Sequence, residues 1–324
     1  MAARSVRTAS RSVASASRAA KAVTVTAHRT QQAFRQRYEA REALRNALAL
    51  ANVAGLDPEG SIMPVRTSYT QGTPNWVDLQ TPDQGAAKAF YSGLFGWTYD
   101  DQPMPEGQVY SMAMLGEHTV AALAPQPPEM AAAGAPPMWN TYLAVDSADD
   151  AAARAEAAGG TIAMAPFDVT DAGRMAFVLD PSGAPVALWQ AGKHIGATLV
   201  NEPGTINWNE LITTDPAAVA FYQTVLGLTT STMDMGTGEY TLFEADGQMV
   251  GGTTPPQMPG VPSHWHVYFG VADADATVAK ASELGGSVLV PPFDSPVGRM
   301  AVLADPHGAV FSIIKQAEQP AAGS

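Results

Sequence analysis

The chain contains no cysteine among its 324 residues. Disulfide bonds, thiolate nucleophiles and cysteine-based zinc sites are therefore excluded. No apolar stretch approaches the ~18 residues that indicate a membrane-spanning helix, so we expect no membrane partner. Basic side chains are also scarce, since 18 Lys and Arg stand against 31 Asp and Glu.

The charge is distributed unevenly along the chain. Residues 1–62 hold ten basic and four acidic side chains, whereas the residues that follow hold eight basic and 27 acidic ones, a net charge of −19. An acidic body repels a polyanion, which argues against nucleic-acid binding. The acidic part is long enough for two domains, and we expect each to have its own apolar core.

Residues 1–62 form a basic N-terminal extension that we predict to be disordered or partly helical. Residues 1–29 carry no acidic side chain and lack the apolar segment of a secretory signal. Three interpretations stay open: a tail, an upstream reading frame ahead of Met63, and an organelle transit peptide. We expect a cytoplasmic protein that folds without this extension. An organelle location or non-classical export is the alternative.

The second half of the sequence repeats the first. TPNWVDLQTPDQGAAKAFYSGLFGW (73–97) returns as TINWNELITTDPAAVAFYQTVLGL (205–228), and FDVTDAGRMAFVLDPSGAPVALWQ (167–190) returns as FDSPVGRMAVLADPHGAVFSIIKQ (293–316). Within each copy, the alternation of apolar residues predicts a strand, a helix and three strands, twice over. We therefore predict an α+β chain with one domain over 73–190, a linker over 191–204, a second domain over 205–316 and a tail over 317–324.

These modules carry motifs that resemble a known family. The helix ends FYSGLFGW and FYQTVLGL, a VxD segment followed by paired glycines, and a DPxG turn before the last strand recur in order in both copies. The pattern is similar to the vicinal oxygen chelate superfamily, which includes glyoxalase I, extradiol dioxygenases and bleomycin-resistance proteins, and in particular to tandem glyoxalase-like proteins of actinobacteria. The resemblance implies that the two βαβββ modules of each domain curve into a cup-shaped sheet that holds a ligand or a metal.

Strand alternation predicts which side chains face the two cups. Val77 and Leu79 suit packing against a helix, so the alternate residues of the same strand, Trp76 and Asp78, should point into the cup. The residues expected to contact substrate are Trp76, Asp78, Asn140 and Tyr142 in the first domain, and Trp208 and Tyr268 in the second. Polar groups in such a concavity usually contact a ligand or water, because burial without a partner costs roughly 1–3 kcal/mol each.

The family's metal ligands are largely replaced in this chain. Where relatives carry His on the first strand of a domain, the sequence has Trp76 and Trp208, and where they carry Glu on the last strand, it has Ala187 and Ser312. We therefore expect no metal in the first domain. His264, His266 and Glu210 could form one divalent metal site in the second domain, and hydrogen bonding of these histidines within the cup is the alternative.

Two functions follow from the resemblance, and the sequence leaves both open. One is a glyoxalase-like enzyme with lyase- or isomerase-type chemistry on an oxygenated small molecule, for which dicarbonyl detoxification is one role. The other is a binding protein of the bleomycin-resistance type that sequesters a small molecule without chemistry. We expect a monomer or a homodimer in either case.

The enzyme hypothesis assigns three catalytic residues in the second domain. Glu210 would transfer the proton, His266 would assist it, and Arg299 would stabilise an enolate. If Glu210 touches His266, the pKa of the imidazole should rise. Arg299 and its counterpart Arg174 each precede a strand, and a structural ion pair is the alternative to an anion clamp.

Overall fold

Two eight-stranded sheets, one from each half of the chain, form the framework of the molecule. A computed structural model describes residues 65–234, 239–256, 260–295 and 297–317. The N-terminal extension and most of the predicted tail lie outside these ranges. The first sheet has the strand order β2-β3-β4-β1-β5-β8-β7-β6, and the second has the equivalent order β10-β11-β12-β9-β13-β16-β15-β14.

The strands and helices follow the predicted modules. The first half contains β1 (Pro74–Thr81), α1 (Gln84–Phe95), β2 (Thr98–Pro103), β3 (Val109–Leu115), β4 (His118–Pro125), α2 (Pro128–Ala132), β5 (Met138–Ala144), α3 (Ala148–Ala157), β6 (Thr161–Val169), β7 (Gly173–Leu179) and β8 (Pro185–Ala191). The second half contains β9 (Ile206–Ile212), α4 (Pro216–Leu226), β10 (Thr229–Asp234), β11 (Glu239–Ala245), β12 (Gln248–Thr254), β13 (His264–Gly270), α5 (Ala274–Glu283), β14 (Ser287–Ser295), β15 (Gly298–Ala304) and β16 (Val310–Gln316).

The first strands of the two modules join each sheet at its centre. Strand β1 runs parallel to β4 and antiparallel to β5, and β9 runs parallel to β12 and antiparallel to β13. The α+β class and the two tandem domains of paired βαβββ modules are therefore confirmed. Within the described ranges, no helix is long and apolar enough to cross a membrane.

Matching caps fix the helix that follows each central strand. Asp83 accepts a hydrogen bond from the backbone N–H of Ala86 at the start of α1, and Asp215 does the same for Ala217 at the start of α4. Helix α1 ends at Gly96, whose φ of 76° lies in the left-handed region that favours glycine.

Two apolar cores lie between the sheets, and each contains residues from both halves of the chain. One combines Phe90 and Trp97 with Phe269 and Phe311 from the second half. The other combines Leu188 and its neighbours with residues of the second half around α4. The expectation of a separate core for each domain is wrong, because α1 packs against α5 and α3 packs against α4 across the domain boundary.

A buried hydrogen-bond chain also crosses this boundary. The indole N–H of Trp265 donates to the hydroxyl of Tyr222 (2.8 Å), which donates to the Asp180 carboxyl of the other domain (3.0 Å). The second oxygen of Asp180 accepts from the backbone N–H groups of Ser182 and Ala184. One carboxyl thus closes a turn of the first domain and binds the second.

The equivalent hydrogen bonds also form with the roles of the two domains exchanged. The indole N–H of Trp139 donates to the Tyr91 hydroxyl (3.1 Å), and that hydroxyl lies 3.4 Å from the Asp305 carboxyl of the second domain. The DPxG aspartates are therefore turn residues, as their sequence context predicts, and they also connect the two domains.

Candidate functional site

The inner face of the first sheet, which we call cup 1, is organised around Asp78. Asn140 donates to one carboxyl oxygen (2.8 Å), and the hydroxyls of Tyr142 (2.6 Å) and Tyr110 (3.1 Å) donate to the other. Tyr110 also accepts from the indole N–H of Trp76 (2.9 Å). Only 2 % of Asp78 is exposed. The structure thus brings together all four residues that the sequence placed in this cup.

Burial and hydrogen bonding act on Asp78 in opposite directions. Removal from water raises the pKa of the carboxyl, and the bonds from Tyr142, Asn140 and Tyr110 lower it to a lesser extent. Burial and the neighbouring carboxyl in turn raise the pKa values of both tyrosines, so their hydroxyls keep their protons. Every partner of Asp78 is therefore a neutral donor.

The inter-domain linker contributes a histidine to cup 1 that sequence reasoning missed. The His194 ring lies perpendicular to the Trp76 ring at 4.5 Å, and the backbone carbonyl of His194 accepts from the indole N–H of Trp189. Asn75 holds the next residue through its side-chain bond to the Ile195 carbonyl. Burial lowers the pKa of His194 to about 4, and its buried Nε2 has no hydrogen-bond partner among the described residues.

The inner face of the second sheet, which we call cup 2, has the same layout with different polar groups. Glu210 and His266 are cross-strand partners, as are Trp208 and Tyr268. The Tyr268 hydroxyl donates to Glu210 (2.9 Å), and the Trp208 indole donates to the Tyr240 hydroxyl (3.0 Å). The predicted inward-facing residues of the second domain therefore do share one surface.

His266 is paired with a residue that the sequence did not single out as functional. Its Nε2 lies 2.7 Å from the hydroxyl of Ser312, which is 1 % exposed. Burial, and secondarily the charge of His264, lower the pKa of His266 to about 3. The rise was expected only if Glu210 touched His266, but the ring bonds Ser312 and removal from water lowers its pKa. The imidazole is therefore neutral at pH 7.

The predicted metal site in cup 2 is not assembled. The Nδ1 atom of His264 lies 2.9 Å from the backbone carbonyl of Pro262, and the rings of His264 and His266 are perpendicular at 5.9 Å. In the described part of the chain, no three His, Asp or Glu side chains come together as metal ligands. His264, His266 and Glu210 are held in hydrogen bonds and, as they are placed here, do not form a three-ligand cluster, although two histidines and a carboxylate are ligand types for a divalent ion.

The structure places Arg299, which the enzyme hypothesis assigned to catalysis, in ion pairs away from the other residues of cup 2. Its guanidinium donates two bonds to Asp275 and one to Asp294 (2.9 Å), on the helix side of the sheet. The next residue, Met300, packs with the aromatic lining of cup 2, so strand alternation turns Arg299 away from it. Arg174 forms the equivalent ion pairs in the first domain. The structural interpretation of this repeated arginine is confirmed.

The chain is similar in sequence to a known protein family and to several of its members. The model of the Glyoxalase/Bleomycin resistance protein/Dioxygenase superfamily matches residues 73–188 and 195–313. The chain is 58% identical over 261 residues to "Putative glyoxylase CFP32" of Mycobacterium tuberculosis (strain CDC 1551 / Oshkosh), covering 79% of this chain and 100% of the relative. It is 41% identical over 266 residues to anthracycline biosynthesis protein DauV of Streptomyces sp. (strain C5), covering 78% of this chain and 96% of that protein.

Solved structures share the fold at low sequence identity. The Mn(II)-bound glyoxalase from Novosphingobium aromaticivorans has a TM-score of 0.54 and 17% identity, over 77% of this chain and 84% of that one. At this identity the likeness concerns the fold alone.

Proposed function

The chain belongs to the Glyoxalase/Bleomycin resistance protein/Dioxygenase superfamily, and from that premise we propose that cup 2 binds a small oxygenated compound and moves a proton within it. The chemistry would be of the lyase or isomerase type, with Glu210 as the proton acceptor. The observation that carries this proposal is the Glu210 carboxyl, 6% exposed on an aromatic-lined cup beside a neutral His–Ser pair.

The polar groups of cup 2 suit proton transfer next to a carbonyl. Glu210 would take the proton from the carbon beside the carbonyl and return it to a neighbouring atom, so that no proton is lost overall. Tyr268, which donates to Glu210, would keep the carboxyl oriented. His266 is neutral at pH 7 and, held by Ser312, would stabilise the developing oxyanion as a hydrogen-bond donor rather than as an acid.

The names of the relatives support the substrate class. One relative is named as a glyoxylase and another as an anthracycline biosynthesis protein. Both names support a carbonyl-bearing small molecule as the first class to test, including 1,2-dicarbonyl compounds and hydroxylated aromatic ketones. No step of this proposal uses a metal ion, because no three His, Asp or Glu side chains come together as ligands among the described residues.

Sequestration without chemistry is the second candidate. Both cups keep the Trp-to-Tyr hydrogen bond, at 2.9 Å in cup 1 and 3.0 Å in cup 2. Asn140 and Ala187, by contrast, stand in cup 1 where His266 and Ser312 stand in cup 2. An aromatic lining that persists while the reactive groups change suits a shared binding role.

Deuterium exchange separates the two candidates, because it detects proton removal whatever the final product. The full chain is incubated in D₂O with each candidate compound, and the loss of the C–H signal is followed by NMR. We expect Glu210→Gln and His266→Asn each to slow exchange by ~10² or more, a typical general acid–base contribution.

Asp78→Asn is the matched control in cup 1 and should change exchange little. Binding that quenches tryptophan fluorescence without any exchange would support sequestration instead. Equal loss from the Asp78 variant would contradict the assignment of the chemistry to cup 2.

A further inference from the structure

Cup 1 surrounds a single carboxyl with aromatic rings. The rings of Phe177 and Trp189 lie 6.0 and 6.3 Å from the ring of Tyr142, which donates its hydroxyl to Asp78. Trp76, on the same strand as Asp78, lies within the same surface. The faces of such rings carry partial negative charge and attract cations.

Asp78 has no positive partner among the residues that the structure describes. Its hydrogen bonds come from an amide and two phenols, and none of the ion pairs of the described chain includes it. A carboxylate offers about four acceptor positions. Asn140, Tyr142 and Tyr110 fill three of these acceptor positions, and the remaining one is on the carboxyl oxygen that Asn140 contacts. A buried carboxylate without a counter-charge is unfavourable, and a bound cation would supply that charge.

We propose that cup 1 is a separate ligand site that takes a small organic ammonium ion, with Asp78 as its counter-charge and the surrounding aromatic rings as its walls. One N–H of the ligand would fill the open acceptor position of the carboxyl. The apolar part of the ligand would pack against Trp76, Trp189 and Phe177. An ammonium ion suits this site better than a metal ion, because cup 1 offers rings rather than further oxygen or nitrogen ligands.

The linker completes the site without adding positive charge. His194 packs against Trp76 and Trp189 and is neutral at pH 7. It therefore extends the aromatic wall and does not compete with a cation. Its unpartnered Nε2 offers one more hydrogen-bonding position. Tyr110, Phe177 and His194 are half-buried, so the rings around the buried Asp78 are partly exposed to solvent.

Cup 2 does not repeat this arrangement. Val302 and Ile314 occupy the positions of Phe177 and Trp189, and His266 replaces Asn140. The two cups of one chain would therefore take ligands of different charge. The net charge of −19 after residue 62 favours the approach of cations to the protein as a whole.

Two ligands of the same shape test the proposal on the full chain. Isothermal titration calorimetry at pH 7.5 compares benzylammonium with benzyl alcohol, which keeps the ring and removes the charge. We expect benzylammonium to bind at least tenfold more tightly. Equal affinities, or no binding of benzylammonium at about 10 mM, a level that detects even weak sites, would overturn the proposal.

Variants then locate the site. Asp78→Asn should weaken benzylammonium binding by at least tenfold and leave benzyl alcohol unchanged, whereas Glu210→Gln should leave both unchanged. Loss on Glu210→Gln instead would place the cation in cup 2 and overturn the assignment. If Asp78→Asn does not fold, the comparison of the two ligands on the unaltered chain still decides the outcome.

Discussion

At the scale of single residues, burial controls protonation more strongly than neighbouring charge does. Glu210 is the cross-strand partner of His266, yet the pKa of His266 falls to about 3 because the ring is removed from water. Asp78 shows the matching effect for an acid, since burial raises its pKa against three hydrogen bonds. Burial therefore opposes the charged form of each group, and in Asp78 the hydrogen bonds from Tyr142, Asn140 and Tyr110 act in favour of the carboxylate.

The low pKa of His266 predicts acid sensitivity. The unfolded chain protonates this histidine near its ordinary pKa of 6.5, whereas the folded chain does so only near 3. The free energy of unfolding should therefore fall as the pH drops from 6.5 towards 3, by about 5 kcal/mol in total, from about 1.4 kcal/mol per unit of pKa difference. Urea titrations between pH 7 and pH 4 measure this slope.

The variant His266→Asn isolates that contribution. Asn140 already occupies the equivalent position in cup 1, so an amide suits the backbone there. We expect this variant to show a flatter dependence of stability on pH, with the remaining slope including that of the buried His194. His118→Asn, at the start of β4 outside both cups, is the control. An unchanged slope in His266→Asn would contradict the prediction.

The sequence was sufficient to predict which residues line the cups but not how they pair. Strand alternation placed Trp76, Asp78, Glu210 and His266 on inner faces, and the structure agrees. The bonds themselves depend on side-chain length and rotamer. Glu210 reaches the hydroxyl of the tyrosine two residues beyond its cross-strand partner, whereas the imidazole of His266 turns to a serine on another strand.

At the scale of secondary-structure elements, the linker after β8 is a structural part of the first domain. The Ala197 N–H donates to the Asn75 carbonyl, and the Thr198 N–H donates to the Thr119 carbonyl. Tyr69 also donates its hydroxyl to the carbonyl of Ala197. These bonds hold the segment across the ends of β1 and β4 and keep His194 against cup 1.

Gly196 makes this path possible and provides a sharp test. Its φ of +111° is unfavourable for other residues, and an added Cβ would collide with the Asn75 carbonyl. Gly183 has a φ of +87° but has open space around it. We expect Gly196→Ala to lower the free energy of unfolding clearly more than Gly183→Ala, which should cost about 1 kcal/mol from backbone strain alone.

Urea unfolding of the two variants measures this difference. A change in tryptophan fluorescence should accompany Gly196→Ala only, because His194 would move from Trp76. Equal losses of stability in both variants would contradict the close packing of the linker.

Apolar periodicity predicted the strands and helices because each element repeats its own local pattern. The course of the linker has no such pattern. Its position depends on single contacts with distant residues, such as the bond from Asn75 to the Ile195 carbonyl. The sequence could therefore identify 191–204 as a connection but not as a wall of cup 1.

At the scale of the whole molecule, the two halves of the chain share their apolar cores. Phe90 of α1 and Phe311 of β16 share one core although they belong to different halves of the chain, and Tyr222 and Asp180 hydrogen-bond across the boundary. The sequence repeat revealed two copies, but it could not show that each copy completes the core of the other. An apolar pattern in the sequence predicts that a surface is buried, but it does not identify which segment of the chain covers that surface.

We therefore expect a fragment of residues 65–195 not to fold alone. Removing the second half exposes the core faces of α1 and α3, which would leave large apolar side chains in water. Circular dichroism melting should show one cooperative transition for the full chain and none for this fragment. Mixing it with a fragment of residues 196–317 should restore the transition. A cooperative melt of the isolated fragment would contradict the shared cores.

The shared cores also determine how freely the two cups can diverge. A chain with one copy would need a second molecule to cover its apolar faces, and its folding would depend on protein concentration. Covalent joining makes that encounter intramolecular, with an effective concentration set by a short linker. In a symmetric dimer both sites must carry the same residues, because both subunits have the same sequence. Two copies joined in one chain are free of that requirement. The two cups can then differ at equivalent positions, as Asn140 and His266 do, so that one site changes while the other keeps its chemistry.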